Sequence, residues 1–189
     1  MGIKRVAVTI AAMASVAASA HAGSSVPERE RVVAVCVNGG NTRIAAHSAL
    51  RQASKIFAEA GVRLEWRLVN PCPSAALVIR ITFSEKTEET RLPTSFAYAY
   101  PFETHIVVFS DRVASKRVPR LLAYVLVHEI THILHNTVRH SAAGIMKADW
   151  DKGDYFEMGK GRLGFTEIDI ALIHAGMDRR EAQRDGALR

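Results

Sequence analysis

The feature that most constrains the fold is an apolar stretch that runs directly into a cluster of ionisable residues. Residues 121–127 read LLAYVLV, and residues 128–132 read HEITH. A helix that is apolar nearly all round has to be buried inside the protein. The stretch therefore predicts a central buried helix over residues 119–136. Pro119 suits its first turn, where the missing backbone N–H is not needed.

The two histidines of this stretch are four positions apart, which matters for what they can bind. On a helix of ~100° and ~1.5 Å per residue, His128 and His132 differ in direction by about 40° and lie about 6 Å apart along the axis. Their imidazoles can converge on one metal ion, with Glu129 beside it as a base for water. Burying these groups without partners is costly, which disfavours a purely structural role. The sequence predicts a Zn2+ site with Glu129 as the catalytic general base.

A catalytic zinc takes three protein ligands and keeps a position for water, so a third ligand is needed. Asn136 tolerates the left-handed conformation of a helix C-terminus, and a chain that turns back there can bring His140 to the metal. His135 lies on the same helix face, but about 10 Å along the axis from His128. We favour His140. The remaining candidates for the third ligand are His135 and the acidic residues Asp149, Asp154 and Glu157.

The N-terminus has the pattern of a secretory signal peptide. Lys4 and Arg5 precede an Ala/Val-rich stretch that ends in the small-residue pattern at 20–22. The stretch is short against the ~20 apolar residues of a membrane span, so we expect export to a periplasm or the exterior, with no span after cleavage. The predicted organisation is a signal peptide at 1–22, a leader at 23–30, one domain at 31–177 and a charged tail at 178–189.

Charge and cysteine content narrow the class of protein further. The net charge of +6 is spread along the chain, and no basic run with interleaved aromatic residues indicates nucleic-acid binding. The chain has two cysteines, Cys36 and Cys72. Because thiols oxidise in exported proteins, we predict a Cys36–Cys72 disulfide. The alternative is a Cys72 thiolate that caps the metal in a latent form.

Elsewhere the chain shows strand and helix patterns in turn. Apolar residues at helical spacing predict a helix over 42–60 and a last helix from Thr166 to near Gly176, with Asp169 as a capping partner. β-branched segments bounded by turn residues predict strands at 31–37, 62–69 and 76–83, and residues 95–100 and 104–110 are predicted as a pair of strands joined around Pro101.

Three runs together, HEITH at 128–132, His140-Ser141 and Gly144-Ile145-Met146, resemble the metzincin clan of zinc peptidases, and most of all its matrixin branch. In that clan a third histidine follows the helix, and a methionine turn lies beneath the metal. The resemblance assigns these roles to His140 and Met146. The clan has its third ligand ten residues after the first histidine, whereas His140 follows at twelve. The runs VHEITH and RHSAAGIMKADW also resemble a group of short exported bacterial proteins.

The resemblance extends to the presumed substrate-binding residues. Trp150 is similar to the aromatic residue in the S1′ pocket wall of matrixins, and residues 95–101 are similar to their antiparallel edge strand. It implies that an extended peptide pairs with this strand through main-chain hydrogen bonds. The substrate-binding residues implied in this way are Ala97, Tyr98, Ala99, Tyr100 and Trp150.

The fold and function expected on this basis are specific. We expect an α/β (α+β) domain with a twisted, mixed, five-stranded sheet, an antiparallel edge strand, a backing helix, the active-site helix and a C-terminal helix. The resemblance implies an exported, zinc-dependent endopeptidase that acts on a peptide or protein. Two alternatives stay open. One is a zinc hydrolase of a non-peptide amide or ester, and the other is a non-catalytic protein that binds zinc or a partner.

Overall fold

The computed structural model describes residues 30–38, 44–68, 72, 77–85 and 94–187. The predicted signal peptide, and the predicted leader up to residue 29, lie outside the described residues. Among the helices that are described, none has the length and apolar content that crossing a membrane requires.

A single mixed sheet forms the frame of the domain. Its strands are β1 (Arg31–Asn38), β2 (Val62–Arg67), β3 (Val78–Ser84), β4 (Ala97–Tyr100) and β5 (His105–Phe109), in the spatial order β2-β1-β3-β5-β4. The first four strands in that order are mutually parallel, and β4 runs antiparallel to β5 at the edge. This confirms the predicted α/β class with a five-stranded mixed sheet and an antiparallel edge strand.

In the part of the chain that the structure describes, five helices accompany the sheet: α1 (Ile44–Glu59), α2 (Ser110–Lys116), α3 (Leu121–His135), α4 (Lys152–Lys160) and α5 (Glu167–Ala187). The backing helix and the central helix are confirmed as α1 and α3. The short helices α2 and α4 were not predicted. α2 buries no residue and α4 buries only Met158, so neither has the apolar period by which a helix is recognised in a sequence.

The core lies between the sheet and the two helices α1 and α3. Every residue of α3 is buried except Leu122 and Glu129, as expected for a helix that is apolar nearly all round. Such a helix is stabilised mainly by packing, because little of its surface is left for solvent. The two histidines of HEITH are therefore fixed on a rigid buried element, and Glu129, which is half-buried, faces the cleft.

The last helix starts where predicted, but its predicted end near Gly176 was wrong. Before α5, Thr166 Oγ donates to Asp169 Oδ2 at 2.7 Å, and the Asp169 N–H donates back to Thr166 Oγ at 3.2 Å. The helix then continues to Ala187, so most of the expected charged tail is helical. A Cβ at Gly176 would overlap the carbonyl oxygen of Leu134. This glycine serves a close crossing of α5 over α3, not a helix end.

Two arginines explain why the extension of α5 stays packed. Arg180 Nη2 donates to Ile133 O at 2.5 Å, and Arg179 Nη2 donates to His135 O at 3.5 Å. The last carbonyls of a helix lack partners within the helix and form the negative end of its dipole. The charged residues after Gly176 thus bind the C-terminal end of α3.

Gly176→Ala is expected to lower the free energy of unfolding by about 3 kcal/mol, because the added methyl group forces two helix backbones apart. Urea unfolding followed by circular dichroism measures the effect. Gly186→Ala is the matched control on the same helix, since no atom lies within 4 Å of its added Cβ. It should be neutral or stabilise by up to about 1 kcal/mol. Equal stability of the two variants would contradict the close crossing.

The two cysteines are joined in a disulfide, with Cα atoms 6.0 Å apart. The bond links β1 to the segment between β2 and β3. Because Cys72 is oxidised, it offers no thiolate, and the alternative of a latent form capped by Cys72 is wrong.

Candidate metal centre

Three histidines come together at the C-terminal end of α3. The nitrogens that His128, His132 and His140 can offer to an ion all lie within 4.8 Å of one another. The ring of His140 has its centroid 5.3 Å from that of His128 and 4.9 Å from that of His132. The group could hold a metal ion.

Hydrogen bonds at the far side of two rings fix which nitrogens would face a bound ion. His128 Nδ1 lies 2.9 Å from Ile145 O, and His132 Nδ1 lies 3.0 Å from Thr137 O. A carbonyl oxygen only accepts, so both Nδ1 atoms carry the proton and donate. Both Nε2 atoms then present lone pairs, as metal-binding histidines with such outer partners do.

The distance between these two Nε2 atoms tests whether the histidine nitrogens are arranged to bind a metal ion. They lie 3.0 Å apart, although neither carries a proton to share with the other. Burial lowers the pKa of His128 to about 4 and that of His132 to about 3, so both rings are neutral near pH 7. Two lone pairs at this distance repel each other unless a cation lies between them. The atoms present therefore fit a metal ion.

His140 lies beside His128 and His132 because the irregular segment after α3 changes direction at two residues with positive φ. Asn136 ends α3 in the left-handed conformation, with φ 56°, which turns the chain back. Gly144 has φ 73°, and a Cβ there would lie 2.7 Å from Gly164 O. Between these points, the Ser141 N–H donates to Met146 O at 2.7 Å. The turn thereby holds the residue after His140.

The turn at residues 144–146 also holds the first histidine. Ile145 O accepts from His128 Nδ1 and, at 3.1 Å, from Trp150 Nε1. Met146 is fully buried in this turn. The main chain around Met146 thus contacts the segments of both His128 and His140, while its role as a methionine turn stays a prediction.

Of the four rival third ligands, three make contacts elsewhere and the fourth lies outside the histidine group. His135 is buried, and its Nε2 lies 3.1 Å from Asp169 O, away from the other histidines. Asp154 binds Lys147, and Glu157 binds Arg162. Asp149 is exposed at the rim of the cleft, outside the histidine group. Among the described residues, His140 alone joins the pair from HEITH.

Comparisons with known proteins add nothing to this geometry. No family model matches the sequence, and no curated protein does. The residues of the centre are therefore assigned from their own contacts, burial and charge.

Glu129 lies at the floor of the cleft and connects α3 to the edge strand. The backbone N–H of Ala99 in β4 donates to its carboxyl group. Burial nevertheless raises the pKa of Glu129 to about 8, because desolvation outweighs this hydrogen bond. A cation held by the histidines would oppose the shift, since it stabilises the carboxylate. Glu129 is therefore placed to hold or release a proton beside the metal group.

The cleft over the centre has a volume of about 630 Å³. Of the five residues predicted to bind substrate, Ala97, Tyr98, Ala99 and Trp150 line it, whereas Tyr100 does not. Tyr100 instead stacks on His105, with ring centroids 5.9 Å apart. Their role in substrate binding stays a prediction.

The cleft is also lined by residues other than the five that were predicted to bind substrate. Phe96 stacks on Trp150 at 6.4 Å, and Trp150 meets the edge of His128 at 5.5 Å. Phe96 lies within residues 95–100, which were predicted as a strand, but it was not named among the substrate-binding residues. Further lining residues come from α2, α3 and α4, among them Arg112, Lys116, Val125 and Tyr155.

Proposed function

We propose that this protein is an exported, zinc-dependent endopeptidase of the metzincin type. The observation that carries the proposal is the pair of lone pairs on His128 and His132, 3.0 Å apart, next to a third histidine and a carboxyl group. Three imidazoles with an open side fit a catalytic zinc better than a structural one, which is closed by four protein ligands. Imidazole ligands also suit other transition metals, so zinc is part of the proposal.

The proposed roles of the residues follow from their positions. His128, His132 and His140 would hold the ion. When bound, zinc supplies Lewis acidity that activates water and polarises a carbonyl near neutral pH. Glu129 would take a proton from the attacking water and return it to the leaving amine. The Ala99 N–H keeps its carboxyl group in place during both transfers.

The edge strand supports a peptide as the substrate. Among the residues that the structure describes, β4 is the last strand of the sheet and pairs with β5 alone. A peptide running antiparallel to β4 would extend the sheet across the cleft. Its C-terminal half would then lie toward Ala97 and Phe96, beside Trp150.

Export rests on the sequence of residues 1–22. The disulfide between Cys36 and Cys72 supports it weakly, because such bonds persist in oxidising compartments. The same compartment would supply the peptide or protein substrate.

Incubation with a peptide library tests the proposed activity, with cleavage products identified by mass spectrometry. We expect internal cleavage that a zinc chelator abolishes and that added Zn2+ restores. Cleavage that persists with the metal removed would refute the zinc mechanism. Turnover of simple amide or ester substrates without any peptide cleavage would favour the non-peptide hydrolase. A metal with four protein ligands and no water would favour the non-catalytic alternative.

A further inference from the structure

A buried carboxylate lies beneath the segment that holds the third histidine. Asp169 is 0% exposed, and it belongs to the first turn of α5. Its Oδ1 accepts from Ser141 Oγ at 2.5 Å, and its Oδ2 accepts from Thr166 Oγ at 2.7 Å and from Thr166 N at 3.2 Å. The guanidinium of Arg139 lies 3.9 Å from Oδ1. A buried carboxylate is costly without such partners, so these contacts hold one another in place.

The three histidines are not held equally well. His128 and His132 stand on a buried helix, and each ring donates to a carbonyl oxygen. His140 is exposed, and the segment around it is neither helix nor strand. No hydrogen bond holds its ring among the described residues. Its position depends on the anchoring of Ser141, the next residue along the chain.

Ser141 is anchored at two points. Its N–H donates to Met146 O within the same segment, and its hydroxyl donates to Asp169 on a separate helix. The hydroxyl bond to a carboxylate is charge-assisted and therefore strong. Asp169 also accepts through its backbone carbonyl from His135 Nε2, at the end of α3. One residue thus joins the helix of two histidines to the segment of the third.

We propose that Asp169 is a positioning residue for the metal centre, which acts through the Ser141 hydroxyl to hold His140 within reach of the ion. The inference rests on the proposed metal site. It does not depend on peptide hydrolysis. Residues that orient metal ligands in this way typically contribute about 10- to 100-fold to metal affinity.

Ser141→Ala tests this, because it removes one hydroxyl and leaves the Asp169 carboxylate in place. We expect Zn2+ affinity, measured by competition with a chromophoric chelator, to fall about 10- to 100-fold. The visible spectrum of the Co2+ form should change as well, because it reports ligand geometry. Ser141→Thr keeps a hydroxyl and should retain most of the affinity.

Thr166→Ala is the matched control, since it removes the other hydroxyl that donates to Asp169. It weakens the N-terminal cap of α5 and should lower the unfolding midpoint. Zn2+ affinity should stay within about threefold of the parent, because the link to His140 is intact.

A Ser141→Ala variant that binds Zn2+ as tightly as the parent, with an unchanged Co2+ spectrum, would overturn the inference. An equal loss of affinity in Thr166→Ala would also overturn it, because the effect would then be one of general stability. A parent that binds zinc through three histidines yet cleaves no peptide would refute the proposed peptidase and leave the role of Asp169 standing. A parent that binds no zinc would refute both.

Discussion

Glu129→Gln is expected to abolish nearly all peptide hydrolysis while leaving zinc binding intact. The amide has the size and shape of the carboxyl group and can still accept from the Ala99 N–H, so the local geometry is kept. It has no basic oxygen to take a proton from water. Loss of a general base typically costs roughly a hundredfold to ten-thousandfold in rate. The kcat on a cleaved peptide, measured with zinc saturating, gives the effect.

Measuring the zinc content shows whether the lost hydrolysis comes from the missing base or from a site that no longer binds metal. The variant should bind Zn2+ about as tightly as the parent, since Glu129 is outside the histidine group. Glu59→Gln on the exposed side of α1 is the matched control and should keep full activity. A Glu129→Gln variant that hydrolyses peptides at the parental rate would rule out this residue as the base.

His140→Ala is expected to weaken zinc binding by more than about a hundredfold, because two imidazoles remain where a catalytic zinc needs three protein ligands. His135→Ala is the matched comparison five residues earlier. His135 is buried and bonded to the backbone of Asp169, so its loss should destabilise the fold. Zinc affinity should nevertheless stay within a few-fold of the parent. Chelator competition measures both affinities, and thermal unfolding measures both stabilities.

The contrast between these two variants decides the third ligand. If His135→Ala weakened zinc as much as His140→Ala, the assignment of His140 would fail. If His140→Ala retained parental affinity, an additional ligand would have to come from elsewhere in the cleft, where Asp149 is the acid besides Glu129 among the described lining residues. Asp149→Ala in the same titration would then identify it.

Much of the fold was predictable because it depends on local periodicity. The apolar stretch at 121–127 predicted a buried helix, and every residue of α3 except Leu122 and Glu129 is buried. The β-branched segments predicted most strands of the sheet, whereas the antiparallel direction of the edge strand β4 was implied by the resemblance to matrixins. In both cases the pattern of burial repeats within a few residues, so the sequence records it directly.

The error in the predicted end of the last helix arose because glycine is used both at helix ends and at close helix crossings. Gly176 was interpreted as a helix end, but it allows the backbones of α3 and α5 to approach. A sequence does not distinguish these uses, because the second depends on Leu134, far away along the chain. The helices α2 and α4 were missed for a related reason. They bury almost nothing, and α4 is set by a capping box between Asp151 and Asp154.

The candidate site was also predictable from the sequence only in part. By itself, the sequence determined that His128 and His132 share a helix face with Glu129 beside them, because helical geometry fixes neighbours four residues apart. The sequence left five candidates for the third metal ligand, which were His140, His135 and three acidic residues. Only the tertiary structure shows which of them lies beside the pair, because the left-handed turn at Asn136 and the contact of Ser141 with Asp169 bring His140 there. An irregular segment has no period of its own, so its course is set by the distant residues that it contacts.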